Sequence, residues 1–335
     1  VAFFIKQMKF LVIQTAFIGD VILATPVVEK LHRVYPEAQI DILVRKGNES
    51  LFNSHPFIKQ VHVWDKHSNK FGNLFRLIGV IRKVRYDYVI NLHRFASSGL
   101  LTMLSGGEEK IGFDKNPFSF SYNIRVKHEI GNGKHEVQRN LELIEHITDK
   151  TFVPPCIYPT ANDFESVKKF KGSPYICIAP ASVWFTKQFP KEKWIELIDT
   201  IDETTSIYLL GSPGDSVLCE TILHESKRKN ITNLSGSLGL LASAALMRDA
   251  LVNYVNDSAP LHLASAINAP TIAVFCSTVP DFGFGPLASK SIIVETLEKL
   301  NCRPCGLHGK KACPQGHFKC ALTISMEQLK PKLPL

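Results

Sequence analysis

The chain has 335 residues, 45% of them hydrophobic, with a formal net charge of +8 and a pI near 9.0. That length supports a large core and about two domains, and no segment approaches the ~20 apolar residues of a membrane span. The basic balance suits an anionic partner. Lys and Arg are spread along the chain rather than massed in an arm, however, and no helix-turn-helix, RNP or zinc-finger spacing is present, which ranks nucleic acid below a membrane surface or an acidic small molecule.

The opening stretch Val1 to Gln7 is too short for a signal peptide's n-region, h-region and cleavage site, and Met8 is an alternative start, so a cytoplasmic protein is expected. Short apolar runs at Phe10 to Gln14, Ile40 to Val44, Val61 to Trp64 and Tyr88 to Leu92 read as buried strands. Between them, apolar positions 27, 28, 31 and 34, and then 74, 75, 77, 78, 81 and 84, have the spacing of helices with one buried face. Strand-helix alternation implies a parallel α/β sheet.

The first strand runs into Thr15-Ala-Phe-Ile-Gly19-Asp20. Gly19 permits a tight turn close to a ligand. A dinucleotide site needs Gly-x-Gly-x-x-Gly here, and a single glycine moves nicotinamide chemistry down the ranking. A carboxylate such as Asp20 normally caps a helix, but Pro26 suggests that the main helix begins with Thr25 as its cap, leaving Asp20 as a loop carboxylate facing the cleft.

After the proline-rich stretch 153–159, a second alternating set places strands near 175–178, 206–210, 231–234, 251–255 and 271–275, with helices near 191–202, 215–228, 239–249 and 259–267. The domain boundary is expected within 155–172, giving domains of 1–160 and 161–335. Two strands of the second set end at small polar residues followed by proline-opened helical stretches: Ala179 to Pro190, and Asn256-Asp-Ser-Ala-Pro-Leu-His262. Unpaired amides in a helix's first turn, with the positive end of its dipole, favour a diphosphate, to which Ser182, Thr186, Ser258 and Lys187 can add donors. Taken singly, either segment is better explained by helix caps and a solvated lysine. Together they look like a nucleotide-sugar site.

Gln14 to Pro26, Ser182 to Pro190, Asn256 to Ala264 and the cysteine-rich tail from Cys302 resemble, across nearly the whole chain, the glycosyltransferase family 9 heptosyltransferases, most closely the heptosyltransferase II-like branch. The resemblance implies an α/β GT-B fold, two Rossmann-like domains with parallel sheets facing a central cleft, an acceptor-binding N-terminal half and a donor-binding C-terminal half. It also implies metal-independent inverting transfer from ADP-heptose to the lipopolysaccharide inner core (lipid A-Kdo-heptose), with no cofactor required. By the same resemblance Asp20 is the general base, Thr186 and Lys187 contact the diphosphate, and Asp257, Ser258, Ala259 and His262 line the donor pocket. Asp215 approaches the ribose, though a cap on the next helix explains it equally well. Ala181 stands where many relatives have glycine. For the acceptor, Gly19 lets the chain pass close to a ligand, while His93 and Arg94 at a strand end and the stretch His135 to Arg139 offer cations to acidic core sugars. Contact with the inner-membrane surface from the cytoplasmic side follows from the acceptor.

Cys156, Cys177, Cys219 and Cys276 are scattered in apolar runs and read as small core residues. Cys302, Cys305, Cys313 and Cys320, with His308 and His317 between them, hold enough soft ligands for a structural tetrahedral zinc site. Their spacing is not that of a zinc ribbon, so a structural zinc, disulfides formed on oxidation and free thiols all remain open. A GT-B transferase using another nucleotide sugar, and a noncatalytic nucleotide or saccharide binder, are the alternative functions. A zinc-stabilised nucleic-acid module ranks last.

Overall fold

The computed structural model describes residues 7–66 and 68–330, so the stretch Val1 to Lys6 read above for a leader lies outside the described residues. The chain divides into two compact units, the first made of residues up to 130 with 136–158, the second of 131–135 with 159 onward.

In the first unit, β1 (Lys9–Gln14), β2 (Gln39–Arg45), β3 (Ile58–Trp64), β4 (Tyr88–Asn91), β5 (Glu109–Phe113) and β6 (Ile124–Val126) form a sheet ordered β3-β2-β1-β4-β5-β6, every pair parallel. The helices are α1 (Ile18–Ile22), α2 (Thr25–Val34), α3 (Lys70–Val84), α4 (Ala96–Leu104) and α5 (Glu136–Glu142). Phe10, Leu11, Val12 and Ile13 are all fully buried, as expected of a central parallel strand covered on both faces. Leu74, Leu77, Ile78 and Ile81 of α3 pack on that sheet, and Asn69 caps the helix by accepting the Gly72 N–H at 3.2 Å.

The second unit repeats this plan with β7 (Tyr175–Ala179), β8 (Ser206–Leu209), β9 (Ile231–Asn233), β10 (Asn253–Asn256), β11 (Thr271–Phe275) and β12 (Ser291–Glu295), ordered β12-β11-β10-β7-β8-β9 and again all parallel. Its helices are α6 (Ala161–Val167), α7 (Lys191–Thr200), α8 (Ser216–Glu225), α9 (Leu240–Arg248), α10 (Ala259–Ala266) and the short α11 (Lys319–Leu322) and α12 (Met326–Leu329). Counted from its own first strand, each sheet has the doubly wound order 3-2-1-4-5-6. The order reverses between β1 and β4 in one sheet and between β7 and β10 in the other, the positions where such sheets take ligands at their carboxyl ends.

Two expectations near Asp20 are corrected. The helix cap is Ala24 rather than Thr25, and Asp20 is the third residue of the short helix α1 rather than a loop carboxylate. Pro26 has no N–H, so the chain breaks into two helices ahead of it, while Leu23 N–H still reaches Gly19 O at 3.0 Å. Thr25 instead donates its hydroxyl to Ile22 O at 2.8 Å and accepts Cys156 N–H at 3.0 Å. Gly19 therefore has a helical place, not a tight turn. Strand β10 starts at Asn253, later than the apolar run suggested, because Leu251 points into solvent, 54% exposed.

Candidate functional site

At the carboxyl ends of β1 and β4 the first unit gathers a set of ionisable groups. Asp20 is partly exposed, and its carboxyl is pushed up to about 6, first by burial and then by the Glu136 carboxylate, against the N–H groups of Phe17 and of its own residue and the Arg94 charge. Glu136 is 5% exposed and bonded to Arg139 Nε at 2.7 Å. Burial works against its ionisation, but the His128 ring and Arg139 outweigh that and hold it at about 2. His128 Nε2 stands 3.6 Å from Glu136 Oε2, and Arg94 Nη1 lies 3.4 Å from His128 Nδ1. Because Arg94 can only donate, His128 accepts at Nδ1 and carries its proton on Nε2, toward Glu136.

The cations expected here are fewer than the sequence suggested. His93 Nδ1 is 3.0 Å from Thr15 Oγ1, and the ring is pushed down to about 3 by burial and by Lys66 and Arg94, so it is neutral. Arg139 is 1% exposed and spent on Glu136. His135 belongs to the second unit, its Nε2 3.1 Å from Gly285 O. Of the sequence-derived cations Arg94 keeps its place. Lys66, which the sequence reading missed, donates to Thr15 O at 2.7 Å, and burial, Arg45 and Lys70 lower its ammonium to about 8.

In the second unit the loops after β7 and β10 are stapled by Asn256, fully buried, which donates to Pro180 O at 2.7 Å and accepts the Phe189 N–H at 2.9 Å. Phe189 anchors the loop in the core, edge-on to Trp194 at 5.1 Å. Between these anchors Lys187 Nζ meets Asp257 Oδ2 at 2.7 Å, and Thr278 Oγ1 donates to the same oxygen at 2.6 Å. An ammonium with three donors keeps capacity beyond that one ion pair. Ser182 is partly exposed, its carbonyl accepting from Gln188 Nε2 at 2.5 Å. Ser258 is the N-cap of α10 yet makes no capping bond with its side chain, and Ala259 opens the helix. Ser258 Oγ has only long contacts, 3.4 Å to Asn256 O and 3.5 Å to Ala181 O. His262 is 6% exposed and held near 3 by burial, against the pull of Asp257. Its Nδ1 is buried without a hydrogen-bond partner among the described residues. A neutral ring with an open nitrogen beside Asp257 and Lys187 is suited to a ligand hydroxyl or phosphate oxygen.

Two donor-side expectations are corrected. Thr186 is 1% exposed and its Oγ1 is occupied by Lys310 N–H at 2.8 Å and Ser277 Oγ at 2.9 Å, so it supports the loop from beneath rather than offering a hydroxyl to a phosphate. Asp215 stands at the N-cap position of α8 but makes no side-chain bond to that helix; its Oδ2 accepts Ser212 N–H and Oγ–H, both at 2.7 Å, and so closes the capping box of the turn before it.

Cys302, Cys305, Cys313 and Cys320 are free thiols. Cys302 Sγ is 3.8 Å from His317 Nε2, and Cys313 Sγ accepts the Phe318 N–H at 3.4 Å. Burial and the neighbouring thiols raise Cys320 to about 11. Among the described residues no group of three or more His, Cys, Asp or Glu side chains is arranged to hold a metal ion, so the geometry does not carry the structural-zinc reading.

The fold is that of sugar transferases with two Rossmann-type sheets. A family 9 glycosyltransferase from Veillonella parvula matches with a TM-score of 0.84 at 21% identity over 96% of this chain and 95% of its own. The structure of Escherichia coli ADP-heptose lps heptosyltransferase II matches with a TM-score of 0.80, also at 21% identity, over 96% of each chain. In sequence, lipopolysaccharide heptosyltransferase 3 of Escherichia coli is 27% identical over 282 residues, 78% of this chain and 82% of that protein. Residues 74–314 match glycosyltransferase family 9 (heptosyltransferase), well over half the chain. The chain belongs to that family and is a GT-B enzyme of sugar transfer.

Proposed function

We propose that this enzyme is an inverting heptosyltransferase that moves heptose from ADP-L-glycero-D-manno-heptose onto a Kdo or heptose hydroxyl of the lipopolysaccharide inner core. Family membership supports the transfer, and the likeness to an ADP-heptose heptosyltransferase of known structure supports the donor. The observation that supports the assignment of roles is that ionisable groups gather at both strand-order reversals, Asp20 with Arg94 at one and Lys187 with Asp257 at the other.

Asp20, poised near 6, takes the acceptor hydroxyl's proton as the bond to the anomeric carbon forms. Arg94 and Lys66 offer positive charge to acidic core sugars. As the anomeric bond to ADP breaks, Lys187 and the open N-terminus of α10 with Ser258 meet the charge growing on the diphosphate, and His262 and Asp257 hold the sugar or phosphate oxygens. This positive charge is supplied by the chain itself, and the reading requires no metal. Among the described residues no helix is long and apolar enough to cross a membrane, and the net positive charge supports peripheral contact with an anionic cytoplasmic membrane face.

Calorimetric titration with ADP, UDP and GDP, then ADP-heptose, tests the donor. Selective ADP binding tightened by the heptose is expected. Preference for another nucleotide overturns the donor, and absence of binding favours a noncatalytic protein.

The charge around Asp20 predicts a pH profile. The base acts when ionised, so kcat/KM rises with pH through about 6. Glu136→Gln removes a negative neighbour while Arg94 remains, which lowers the Asp20 pKa and moves the acid limb to lower pH. A limb that stays in place in the variant separates Glu136 from the base.

A further inference from the structure

The cysteine-rich tail has no part in the transfer step, yet its loop ends against the lysine assigned to the diphosphate. Thr186 and Lys310 exchange two hydrogen bonds, Thr186 N–H to Lys310 O at 3.1 Å and Lys310 N–H to Thr186 Oγ1 at 2.8 Å. At the base of the loop, Cys305 N–H bonds Ser277 O at 2.8 Å. There the Arg303 guanidinium donates to the carbonyls of Cys276 at 2.8 Å and Thr278 at 2.7 Å, and to Glu295 Oε2 at 2.6 Å. The loop is therefore pinned below to the end of β11 and above to Thr186, the residue before Lys187. With Phe275 O at 3.3 Å as well, Arg303 joins four acceptors in one planar fork, which fixes direction as well as distance.

Gly309 sits at the tip of this loop with φ +75°. A Cβ added there would stand 2.9 Å from Lys187 Cγ, 3.0 Å from Thr186 Oγ1 and 3.3 Å from Lys187 Cδ. The first of these is closer than real side chains approach, so a methyl group would push the lysine stem aside. On its far end the same lysine is held by Asp257. The stem is thus fixed from both sides.

We propose that the tail loop from Arg303 to Lys310 is a positioning element of the donor site, and that the missing side chain of Gly309 sets where the Lys187 ammonium stands. This deepens the donor-site reading and rests on it. The loop contributes no atom to the diphosphate; it limits the lateral freedom of the residue that does. A shift of about 1 Å in such a group is enough to weaken catalysis severalfold to a hundredfold.

A neighbouring glycine supplies the control. Gly306 has φ +79°, and a Cβ there would meet nothing within 4 Å. Alanine at either position brings the same backbone strain, but only Gly309→Ala crowds Lys187. The experiment compares full-length Gly309→Ala, Gly306→Ala, Thr186→Val and Lys187→Ala by ADP calorimetry, by KM for ADP-heptose and for the acceptor, and by thermal unfolding. Gly309→Ala is expected to weaken ADP binding about tenfold and to raise the ADP-heptose KM, with the acceptor KM unchanged. Gly306→Ala, of similar melting temperature, should bind ADP like the parent. Thr186→Val deletes the acceptor of the Lys310 N–H at constant shape and should weaken ADP severalfold, which keeps the test open if Gly309→Ala fails to fold. If Lys187→Ala weakens ADP but Gly309→Ala and Thr186→Val match Gly306→Ala, the positioning role is overturned. If Lys187→Ala leaves ADP affinity unchanged, the donor-site reading falls, and the proposal with it.

Discussion

Asp20→Asn is expected to cut turnover by about a hundredfold or more, the usual scale for a positioned base, while ADP affinity stays near that of the parent and thermal stability rises. The first part follows from the loss of the group proposed as the base, because His93, the nearby imidazole, is held neutral and is tied to Thr15. The second follows from the sign of the Asp20 shift. Its folded pKa of about 6 lies above the ordinary value of 3.8, so ionising it opposes folding. The stability it permits is complete below about pH 4, is lost as pH rises through 6, and stays lost at pH 7.5. A shift of that size corresponds to roughly 1–3 kcal/mol once partial solvent access is allowed for, and to a rise of a few degrees in Tm for a unit of this size. Unchanged turnover in the variant would reduce Asp20 to a first-turn helix carboxylate. A lowered Tm at pH 7.5 would show that its charge is better satisfied than the burial implies.

The second large effect is expected at Lys187. Truncation to alanine removes the ammonium proposed to meet the diphosphate and also strands Asp257, 5% exposed, with Thr278 as its remaining side-chain partner among the described residues. Loss of one preorganised charge at a leaving group lowers kcat/KM by about 10²–10³. Breaking a largely buried pair from one side costs about 2–4 kcal/mol, less than for a fully enclosed pair because 15% of the lysine side chain is exposed. The two effects separate in the double variant Lys187→Met, Asp257→Asn, which removes both charges at nearly constant volume. It should regain most of the lost Tm and none of the lost kcat/KM. Recovery of activity along with stability would mean that Lys187 matters to folding rather than to the diphosphate.

The sequence carried much of this architecture in its apolar runs: β1, β4, β7 and β11 have continuous hydrophobic cores because both sheet faces are covered, and β2 departs from this only at the buried Asp41 and its polar ends. What was not legible lay at the edges and in tertiary contacts. Strands β6 and β12 are edge strands with partly exposed residues, and β5 opens with Glu109 and Lys110, so none has the signal of a central strand. Within β5, Gly112 is required by the Tyr122 ring, which would lie 2.4 Å from an added Cβ, a constraint set by a residue ten positions on. The positions of Asp20 after β1, and of Lys187 and Asp257 after β7 and β10, were legible from their motifs. Thr186 was misread because the segment that buries it arrives more than a hundred residues later, at Lys310. The neutral state of His93 is likewise set first by burial and then by Lys66, distant in sequence, as well as by its neighbour Arg94. Glu136 and Arg139 offered one local clue, an acid three residues before a base on a helix, which is the spacing of a facing pair.

The strand order also bears on how the chain is made. Each sheet begins with its central strand, and Phe10 of β1 finds its β4 neighbour at Tyr88, as Cys177 of β7 finds Asn253 of β10. At translation speeds of about 5–20 residues per second, the nascent hexapeptide Lys9–Gln14 spends on the order of 4–16 s with one edge unpaired. It is apolar, rich in β-forming residues and free of proline and glycine, the composition that recruits chaperones or seeds aggregation. Soluble yield should therefore respond to growth temperature and chaperone supply through this strand, and destabilising the β4 region should lower recovery of the protein well before it lowers the activity of the molecules that fold.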